Sequence, residues 1–565
     1  MRILLLAHAF NSLTQRLWCA LGERGHELSF ELDISDEVTR EAVALHAPAL
    51  VIASFLKRAI PEDIWRRLPC LIVHPGVPGD RGPAALDWAI LEQQHEWGVT
   101  VLQADAEWDA GPIWASASFA MRPASKASLY RGEVADAAVD AVLAALERYE
   151  AGMGPLAADA LALLPRGRWH PPLTQAARAI DWTTCRTAEV LRRLRAADSA
   201  PGLLDAIAGV PAYLYDAHPG PPVATAQAGQ WLYREAHALL RATVDGSVWI
   251  GHARGATPEQ FKLPALMACP AARALPQLPA EADELRNSAP RPITYRESGA
   301  VGFLRFDFYN GAMGSADCRQ LLAALESAAA RPTRVLVLEG GRDFWSNGIH
   351  LNLIEAADSP ADESWLNIEA IDDVAECLVR MTSKLTVAAV GGNAGAGGAF
   401  LALAADQVWI RPAAVLNLHY RNMGNLYGSE LWTYTLPRRA GAAAEGIIGA
   451  RQPLLGSQAV RLGLADAVFG ATVDDFTCEV ADRAARLATA EDYLQRLRAK
   501  AASRDQDEAL RPLASYRQAE LAEMRRSFYG FDTSYHVARH RFVHKAPHSW
   551  TPRHLARHRG TAAGR

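Results

Sequence analysis

The stretch AAVGGNAGAGGAFLALAAD, residues 388–406, joins a glycine-rich turn to an apolar run. Residues 384–390 (KLTVAAV) predict a buried strand, and residues 396–405 predict a buried helix that begins at the glycines. Glycine lets the backbone approach a ligand closely. The first N–H groups of a helix lack intrahelical partners, and the partial positive charge there favours an anion. The turn therefore predicts an oxyanion hole.

This turn resembles the motif VNGxAxGGGxELALxCD of the crotonase, or enoyl-CoA hydratase/isomerase, superfamily. The simpler alternative is a glycine-rich turn that only packs a strand against a helix. A second part of the family pattern, WSNGIHL at residues 345–351, precedes it. The resemblance implies a crotonase-like α/β spiral in which two turns each donate a backbone N–H group to the carbonyl of a CoA thioester. The implied donors are Ile349 and Gly397, and Gly398 continues the second turn.

The sequence departs from a hydratase at the two positions where that family carries catalytic glutamates, because Phe400 and Tyr420 stand there. Simple addition of water to an enoyl-CoA is therefore disfavoured. The polar residues nearby are Tyr420 and Glu430, in HYRNMGNLYGSELW, and we predict that they are catalytic, with Glu430 as the base. The alternatives are a packed tyrosine with a satisfied hydroxyl and a glutamate favoured by a helix dipole.

The amino-terminal third alternates apolar strands with helices. The predicted strands are residues 1–7, 26–32, 49–55 and 70–73, and the predicted helices run from Ser12 to about residue 25 and over residues 36–46. This alternation predicts a doubly wound parallel sheet whose ligand site lies at the carboxyl ends of the strands.

Residues 71–90 (LIVHPGVPGDRGPAALDWAI) and 98–115 (GVTVLQADAEWDAGPIWA) resemble the motifs of formyltransferases that use formyl-tetrahydrofolate. The catalytic histidine and aspartate of that family fall on His74 and Asp109, but its asparagine is replaced by Ile72. A His/Asp pair suits acid–base catalysis. The alternatives are a loop or core histidine and a turn aspartate. The positions implied to line the folate site are Ile72, Val73, Arg81 and Gly111.

We expect an α/β multidomain protein. The predicted parts are a formyltransferase-like domain at 1–165, a small barrel-like domain at 173–272, a crotonase-like domain at 290–485, and a helical extension with a basic tail at 486–565. Proline-rich residues 163–175 and alanine- and proline-rich residues 270–292 predict the linkers. The middle domain resembles the carboxyl-terminal domain of formyltransferases, and the alternative is an unassigned α+β module. Residues 475–502 predict one long amphipathic helix.

The tail, residues 535–559, carries five arginines, one lysine and six histidines and no acidic residue. We interpret it as a solvated basic terminus. The alternative is that Arg539, Arg541 and Lys545 meet the phosphates of coenzyme A.

The composition narrows the function classes. The 565 residues are 50% hydrophobic with a net charge of −5, which argues against a general nucleic-acid binder. The seven cysteines are scattered without a CxxC motif, so the sequence predicts no metal site and a reduced, cytoplasmic protein. The sequence contains no run of about 20 apolar residues, so it predicts no membrane span.

The union of a formyltransferase half and a crotonase half in one chain resembles a family of [NiFe]-hydrogenase maturation factors. The resemblance implies synthesis of carbon monoxide, the ligand of the hydrogenase iron. A formyl group would pass from N10-formyl-tetrahydrofolate to coenzyme A, and formyl-CoA would then be decarbonylated. Other hydrogenase maturation proteins are implied as partners beside these small molecules. The alternatives are a bifunctional amine formyltransferase and acyl-CoA hydratase/isomerase, and a non-catalytic scaffold.

Overall fold

The computed structural model of the chain describes residues 1–560. The described residues form two compact units, one of residues 1–290 with 547–560, and one of Arg291–Ala546. The boundary falls inside the predicted linker at 270–292. The predicted extension 486–565 is divided between the units, since residues 486–546 belong to the second and residues 547–560 to the first. Within residues 1–560, no helix combines the length and hydrophobicity that crossing a bilayer requires.

The first unit opens with a six-stranded sheet. Its strands are β1 Arg2–Ala7, β2 Glu27–Leu32, β3 Leu50–Phe55, β4 Cys70–His74, β5 Glu96–Gln103 and β6 Ile113–Ala120. The order is β2-β1-β3-β4-β5-β6, and the first four strands are parallel, as predicted. β5 runs antiparallel to β4. β6 runs antiparallel to β5, because residues 104–112 are too few for the crossover that a parallel pair needs.

Helices cover this sheet. They are α1 Ser12–Glu23, α2 Asp36–His46, α3 Glu62–Trp65, α4 Ala85–Leu91, α5 Lys126–Arg131, α6 Glu133–Glu150 and α7 Ala158–Ala162. The first helix begins at Ser12, as predicted, and is capped by Asn11, whose side chain accepts from the N–H of Thr14.

The middle part of the first unit is an antiparallel sheet. Its strands are β7 Leu203–Ile207, β8 Val210–Gly220, β9 Trp231–Glu235, β10 Ala238–Ala242, β11 Ser247–Gly255 and β12 Leu263–Pro264. Its helices are α8 Gln175–Arg178, α9 Thr187–Ala197, α10 Ala265–Ala268 and α11 Asp283–Ser288, with a 3-10 helix at Pro270–Ala274.

This middle sheet is open. The order is β7-β8-β11-β10-β9 with β12 beside β11, and within the described residues β7 and β9 do not pair to close a barrel. One face packs on α9 through Val190 and Leu194, and the opposite face packs on Leu278 and Leu285. Both apolar faces are therefore buried without closure.

The second unit is built from parallel strands in two layers. Its strands are β13 Ile293–Ser298, β14 Val301–Phe306, β15 Ala312–Met313, β16 Val335–Glu339, β17 Phe344–Ser346, β18 Gly348–Ile349, β19 Leu385–Val390, β20 Asn393–Gly395, β21 Gln407–Ile410, β22 Leu416–Asn417 and β23 Ala467–Val468. The main sheet has the order β13-β14-β16-β19-β21-β23, and β13 alone pairs antiparallel. The short strands form the sheets β15-β18 and β17-β20-β22.

The helices of the second unit follow these strands. They are α12 Ser315–Ala329, α13 Leu351–Glu355, α14 Pro360–Arg380, α15 Gly397–Leu403, α16 Trp432–Ala440, α17 Ala444–Ala450, α18 Gly456–Arg461, α19 Val473–Thr489, α20 Tyr493–Leu510, α21 Leu513–Tyr529 and α22 Ser534–Val543. Further 3-10 helices lie at Tyr309–Gly311, Gly441–Ala443 and, in the first unit, Arg557–Arg559. The α/β fold class predicted from the sequence is confirmed.

The predicted single helix over 475–502 is wrong, because it consists of two helices, α19 and α20. Ala490 follows α19 with an extended backbone, and α20 begins at Tyr493. Tyr493 is buried and its hydroxyl donates to the carbonyl of Arg334 at 2.7 Å. The break lets this side chain reach the core.

The prediction of a solvated basic tail is also wrong. Tyr535 and Arg539 are buried in the second unit, and His558 is buried in the first. His558 Nε2 lies 3.0 Å from Glu31, on β2, and Thr551 bonds to the same carboxylate. Buried carboxylates need such partners, and the tail supplies them.

Candidate active sites

The two glycine turns of the second unit lie against each other. β17 pairs with β20, which places Ser346 opposite Ala394. A Cβ atom on Gly348 would lie 3.2 Å from the nitrogen of Gly397, and one on Gly398 would overlap the carbonyl oxygen of Ser346. Only glycine allows backbones this close. The structure therefore brings together the two turns that the sequence predicted to form one oxyanion hole.

The backbone at the second turn is strained. Ala396 has φ +47° and ψ −125°, and its N–H donates to the carbonyl of Asn417 at 2.9 Å. α15 begins at the next residue, Gly397, which is buried. Ile349, the other predicted donor, is half-buried at the end of β18. Such strain is typical of functional sites.

Tyr420 and Glu430 form one buried pair beside this turn. The Tyr420 hydroxyl bonds to Oε2 of Glu430 and lies 3.0 Å from the carbonyl oxygen of Ser429. A Cβ atom on Gly397 would overlap Oε1 of Glu430, so the carboxyl group lies at the start of α15. The ring of Phe400 stacks on Tyr420 with centroids 5.0 Å apart. The two predicted catalytic residues are thus in direct contact.

Glu430 sits in a strained segment that other carboxylates hold. Glu430 and Leu431 have φ of +59° and +58°. Asp372, on α14, accepts from the N–H of Glu430 at 2.7 Å and from the hydroxyl of Ser429 at 2.7 Å. Glu520, on α21, accepts from the N–H of Leu431 at 2.9 Å. Sequence reasoning missed Asp372 and Glu520, which have no motif around them.

The pKa values of these acids lie far above the usual range. Burial, with the neighbouring charge of Asp372, raises the pKa of Glu430 to about 8. Burial likewise raises the pKa of Glu520 to about 8 and that of Asp372 to about 7. Burial and the charge of Glu430 raise the pKa of Tyr420 well above 10. A tyrosine that stays protonated beside a carboxyl group that titrates near neutrality suits acid–base catalysis.

The predicted site of the first unit centres on His74, which lies between two carboxylates. Its Nε2 lies 2.8 Å from Oδ2 of Asp80, and its Nδ1 lies 3.5 Å from Oδ1 of Asp109. Asp109 has φ +55°, and its Oδ2 accepts from the N–H of Gly82 at 3.3 Å. The structure therefore joins His74 and Asp109 as predicted from the motif.

Asp80 is the residue that sequence reasoning missed at this site. Only 1% of it is exposed, and its Oδ1 lies 3.2 Å from Nδ1 of His170. His170 stacks on Trp88 with centroids 5.4 Å apart. The sequence feature that could have identified Asp80 is its position in HPGVPGDRG, six residues after His74. The buried carboxylate orients two imidazole rings.

The other positions predicted for the folate site lie around His74. Ile72 lies on β4 between β3 and β5, and its apolar side chain offers no hydrogen bond to a formyl oxygen. Val73 is buried on the same strand. Nη1 of Arg81 lies 2.6 Å from Glu107. Gly111 packs so tightly that a Cβ atom would overlap the carbonyl oxygen of Gln103.

The arginines predicted for coenzyme A differ in their surroundings. Arg539 is 5% exposed, and its Nε lies 2.7 Å from Oε2 of Glu355, so a carboxylate balances its charge. Arg541 is half-buried on α22. The role of both residues in binding coenzyme A stays a prediction.

Comparisons with known proteins match this architecture. Residues 26–146 match the formyl transferase family, residues 172–267 match the formyl transferase C-terminal domain, and residues 310–553 match the enoyl-CoA hydratase/isomerase family. Hydrogenase maturation factor HoxX of Bradyrhizobium diazoefficiens is 54% identical over 99% of this chain and 97% of its own length. The chain belongs to the HypX/HoxX family of hydrogenase maturation factors.

Solved structures of this HypX/HoxX family agree. The crystal structure of HypX from Aquifex aeolicus in complex with tetrahydrofolic acid superposes with a TM-score of 0.93 at 44% identity, over 99% of both chains. A methionyl-tRNA formyltransferase from Desulfotalea psychrophila is 30% identical over 27% of this chain and 47% of its own length. The family resemblances inferred from the sequence motifs are confirmed.

Proposed function

We propose that this chain makes carbon monoxide in two steps. Its first unit transfers a formyl group from N10-formyl-tetrahydrofolate to coenzyme A, and its second unit decarbonylates formyl-CoA to carbon monoxide and coenzyme A. The observation that carries the proposal is the buried Tyr420–Glu430 pair at the start of α15, because Tyr420 stands at a position where hydratases carry a glutamate. The family membership and the tetrahydrofolic acid bound to the Aquifex HypX support the folate step.

Formyl transfer needs a proton shuttle. The thiol sulfur of coenzyme A attacks the formyl carbon, the new C–S bond forms, the bond from that carbon to N10 breaks, and the thiol proton ends on N10. We assign this shuttle to His74, because the two carboxylates beside it stabilise the charged imidazole that forms on the way. Asp80 and Asp109 then act by orienting and stabilising the ring.

Decarbonylation needs a base and an acid. Glu430 removes the formyl proton, and the electron pair of the C–H bond becomes the carbon lone pair of carbon monoxide. The C–S bond breaks, its electron pair leaves with sulfur, and Tyr420 protonates the thiolate and regains a proton from Glu430, to which its hydroxyl is hydrogen-bonded. The pKa of Glu430, raised by burial to about 8, makes its carboxylate a stronger base than an exposed one. The N–H groups of Ile349 and Gly397 would hold the thioester oxygen.

Hydration of an enoyl-CoA fits this site poorly. Phe400 is fully buried and stacks on Tyr420, so an apolar ring occupies one of the two positions where hydratases carry a glutamate. The remaining acids, Asp372 and Glu520, accept hydrogen bonds from the main chain around Glu430. They support Glu430 and do not offer a second base on the opposite side of a substrate.

The test supplies the full-length protein with formyl-CoA and traps the released carbon monoxide on a reduced haem protein. Tyr420→Phe and Glu430→Gln should each lower the rate about 100-fold, the usual range for a lost acid or base. Tyr427→Phe is the matched control, because Tyr427 is 39% exposed. If Tyr420→Phe and Glu430→Gln both release carbon monoxide as fast as the parent protein, decarbonylation at this site is refuted.

A second arm tests the first step with N10-formyl-tetrahydrofolate and coenzyme A. We expect formyl-CoA to accumulate in Glu430→Gln. Formylation of an amine without formyl-CoA would favour the amine formyltransferase, and failure to bind either small molecule would favour the scaffold.

A further inference from the structure

Three side chains of metal-ligating types, none of them part of the Tyr420–Glu430 pair, meet in the second unit. Nδ1 of His540 lies 2.7 Å from Oε1 of Glu355, and Nε2 of His544 lies 3.2 Å from the same oxygen. The three ligand atoms all lie within 4.8 Å of one another. We propose that Glu355, His540 and His544 bind a divalent transition-metal ion of the Zn²⁺ class.

The local fold sets this arrangement. His540 and His544 are four residues apart at the end of α22, so both rings leave the same side of the helix, with centroids 4.1 Å apart. Glu355 is the last residue of α13 and is only 10% exposed in its side chain. A helix and the end of a neighbouring helix thus aim three donors at one point.

The donor set suits Zn²⁺ and its neighbours. Two imidazole nitrogens and one carboxylate oxygen are the protein ligands of many zinc and non-haem iron sites. Bonds of about 2.0–2.1 Å at tetrahedral angles place ligand atoms roughly 3.3 Å apart. The His544–Glu355 separation already has that value, and the His540–Glu355 pair must open by about half an ångström. The His540 side chain is 60% exposed, so solvent can fill a fourth position.

A second layer of contacts orients the carboxylate. Arg539 donates from Nε to Oε2 of Glu355 at 2.7 Å, and its Nη1 lies 2.8 Å from Nδ1 of His536. Ligating carboxylates usually carry such a partner, which fixes their rotation. Arg539 thus holds Oε2 of Glu355, while Oε1 faces both histidines.

The ion would tie α22 to the turn beside the oxyanion hole. α13 follows Ile349 after a single residue, His350, whose Nδ1 accepts from the N–H of Leu353. An ion at Glu355 would fix the far end of that short helix. The sequence predicted no metal site because only the spacing of the cysteines was considered. The histidines, in contrast, recur every four residues at 536, 540, 544 and 548.

The test uses full-length protein washed with a chelator and then titrated with Zn²⁺ or Co²⁺. We expect one equivalent to bind, with the visible absorption bands of Co²⁺ bound by imidazole. His544→Ala and Glu355→Gln should each weaken Zn²⁺ binding at least about 10-fold. His95→Ala is the matched control, because His95 is exposed in the first unit and should leave the titration unchanged.

Thermal unfolding gives a readout that does not need the variants to be active. Zn²⁺ at about 100 times its dissociation constant should raise the melting temperature of the parent protein by roughly 5 °C, and the same Zn²⁺ concentration should raise that of His544→Ala by at most about half as much. Absence of stoichiometric binding in the parent would overturn the proposal. Equal Zn²⁺ affinity in the parent, His544→Ala and Glu355→Gln would overturn it as well.

Discussion

At the scale of single residues, the behaviour of Glu430 follows from where its carboxyl group is buried. Two further buried acids, Asp372 and Glu520, hold the main chain on either side of it. Their charges add to the effect of burial, so the group keeps its proton at pH values where an exposed glutamate has lost it. A group with this pKa can exchange a proton near neutral pH.

The first prediction concerns the pH dependence of decarbonylation. Glu430 accepts a proton only in its carboxylate form, and its pKa is about 8, so the rate should rise from pH 6 through pH 8 and level above about pH 9. Tyr420 stays protonated throughout, because its pKa is raised well above 10. The measurement is carbon monoxide release from formyl-CoA, with a protein-free blank at each pH. Glu430→Gln should be slow and flat across the range, and a parent rate that falls with pH would contradict the assignment.

The second prediction concerns the carboxylates that flank His74. His74→Ala should lose about 100-fold or more in folate-dependent formyl transfer, because the proton shuttle is gone. Asp80→Asn and Asp109→Asn should also slow transfer, because a neutral amide stabilises the charged imidazole less well. Binding of coenzyme A should persist in all three. The matched control is Asp105→Asn, in the same loop as Asp109 but exposed, and equal rates in all variants would argue against the site.

At the scale of elements, the start of α15 explains why glycine is required there. The strand pairing of β17 with β20 presses one turn against the other, and Glu430 fills the space beside Gly397. No space remains for a side chain at position 397. The glycine therefore sets both the approach of the two turns and the position of the carboxyl group.

The third prediction follows from that contact. The Cβ atom of Gly397→Ala would overlap Oε1 of Glu430, so the carboxyl group must move, and decarbonylation should drop at least about 100-fold. The matched control is Gly446→Ala, because a Cβ atom there meets no atom within 4 Å. Circular dichroism should show both variants folded. Full activity of Gly397→Ala would mean that this turn does not hold the reacting thioester.

At the scale of the whole molecule, the last described residues complete the core of the first unit. Glu31 and His558 have side chains with no exposed surface, and they lie 3.0 Å apart although the chain separates them by 527 residues. Arg559 and Thr551 bond to the same carboxylate. Burial favours a raised pKa for Glu31, but these hydrogen bonds outweigh it and hold the pKa below its usual value.

The fourth prediction tests this docking. His558→Ala should destabilise the first unit by about 3 kcal/mol, because it leaves a buried carboxylate with fewer partners. Hydrogen exchange is the suitable measurement, since a chain of two units need not unfold in one step. The amides of Phe30 and Leu32, which donate to the tail, should exchange about 100-fold faster.

The control for this docking is Arg553→Ala, whose side chain is exposed and should leave the exchange unchanged. Unaltered protection of β2 in His558→Ala would show that the tail contributes little stability.

The sequence by itself determined the helices, strands and motif loops whose signal lies within a single short segment. The helix at 36–46 and the strands at 1–7, 26–32, 49–55 and 70–73 were predicted to within a residue or two, because their apolar periodicity is contained in the segment itself. The glycine turns and the HPGVPGDRG loop also carry their signal locally, and they led to both candidate sites. His74, Asp109, Tyr420 and Glu430 were predicted as catalytic residues for that reason.

Only the tertiary structure decided which distant groups surround those residues. Asp372 and Glu520 lie 58 and 89 positions from the main-chain groups that they hold around Glu430, and nothing in their own segments marks them. The break before Tyr493, the burial of the tail and the cluster at Glu355 likewise arise from contacts between remote segments. Burial and pairing set pKa values and ligand geometry, and both depend on packing that no local window of sequence contains.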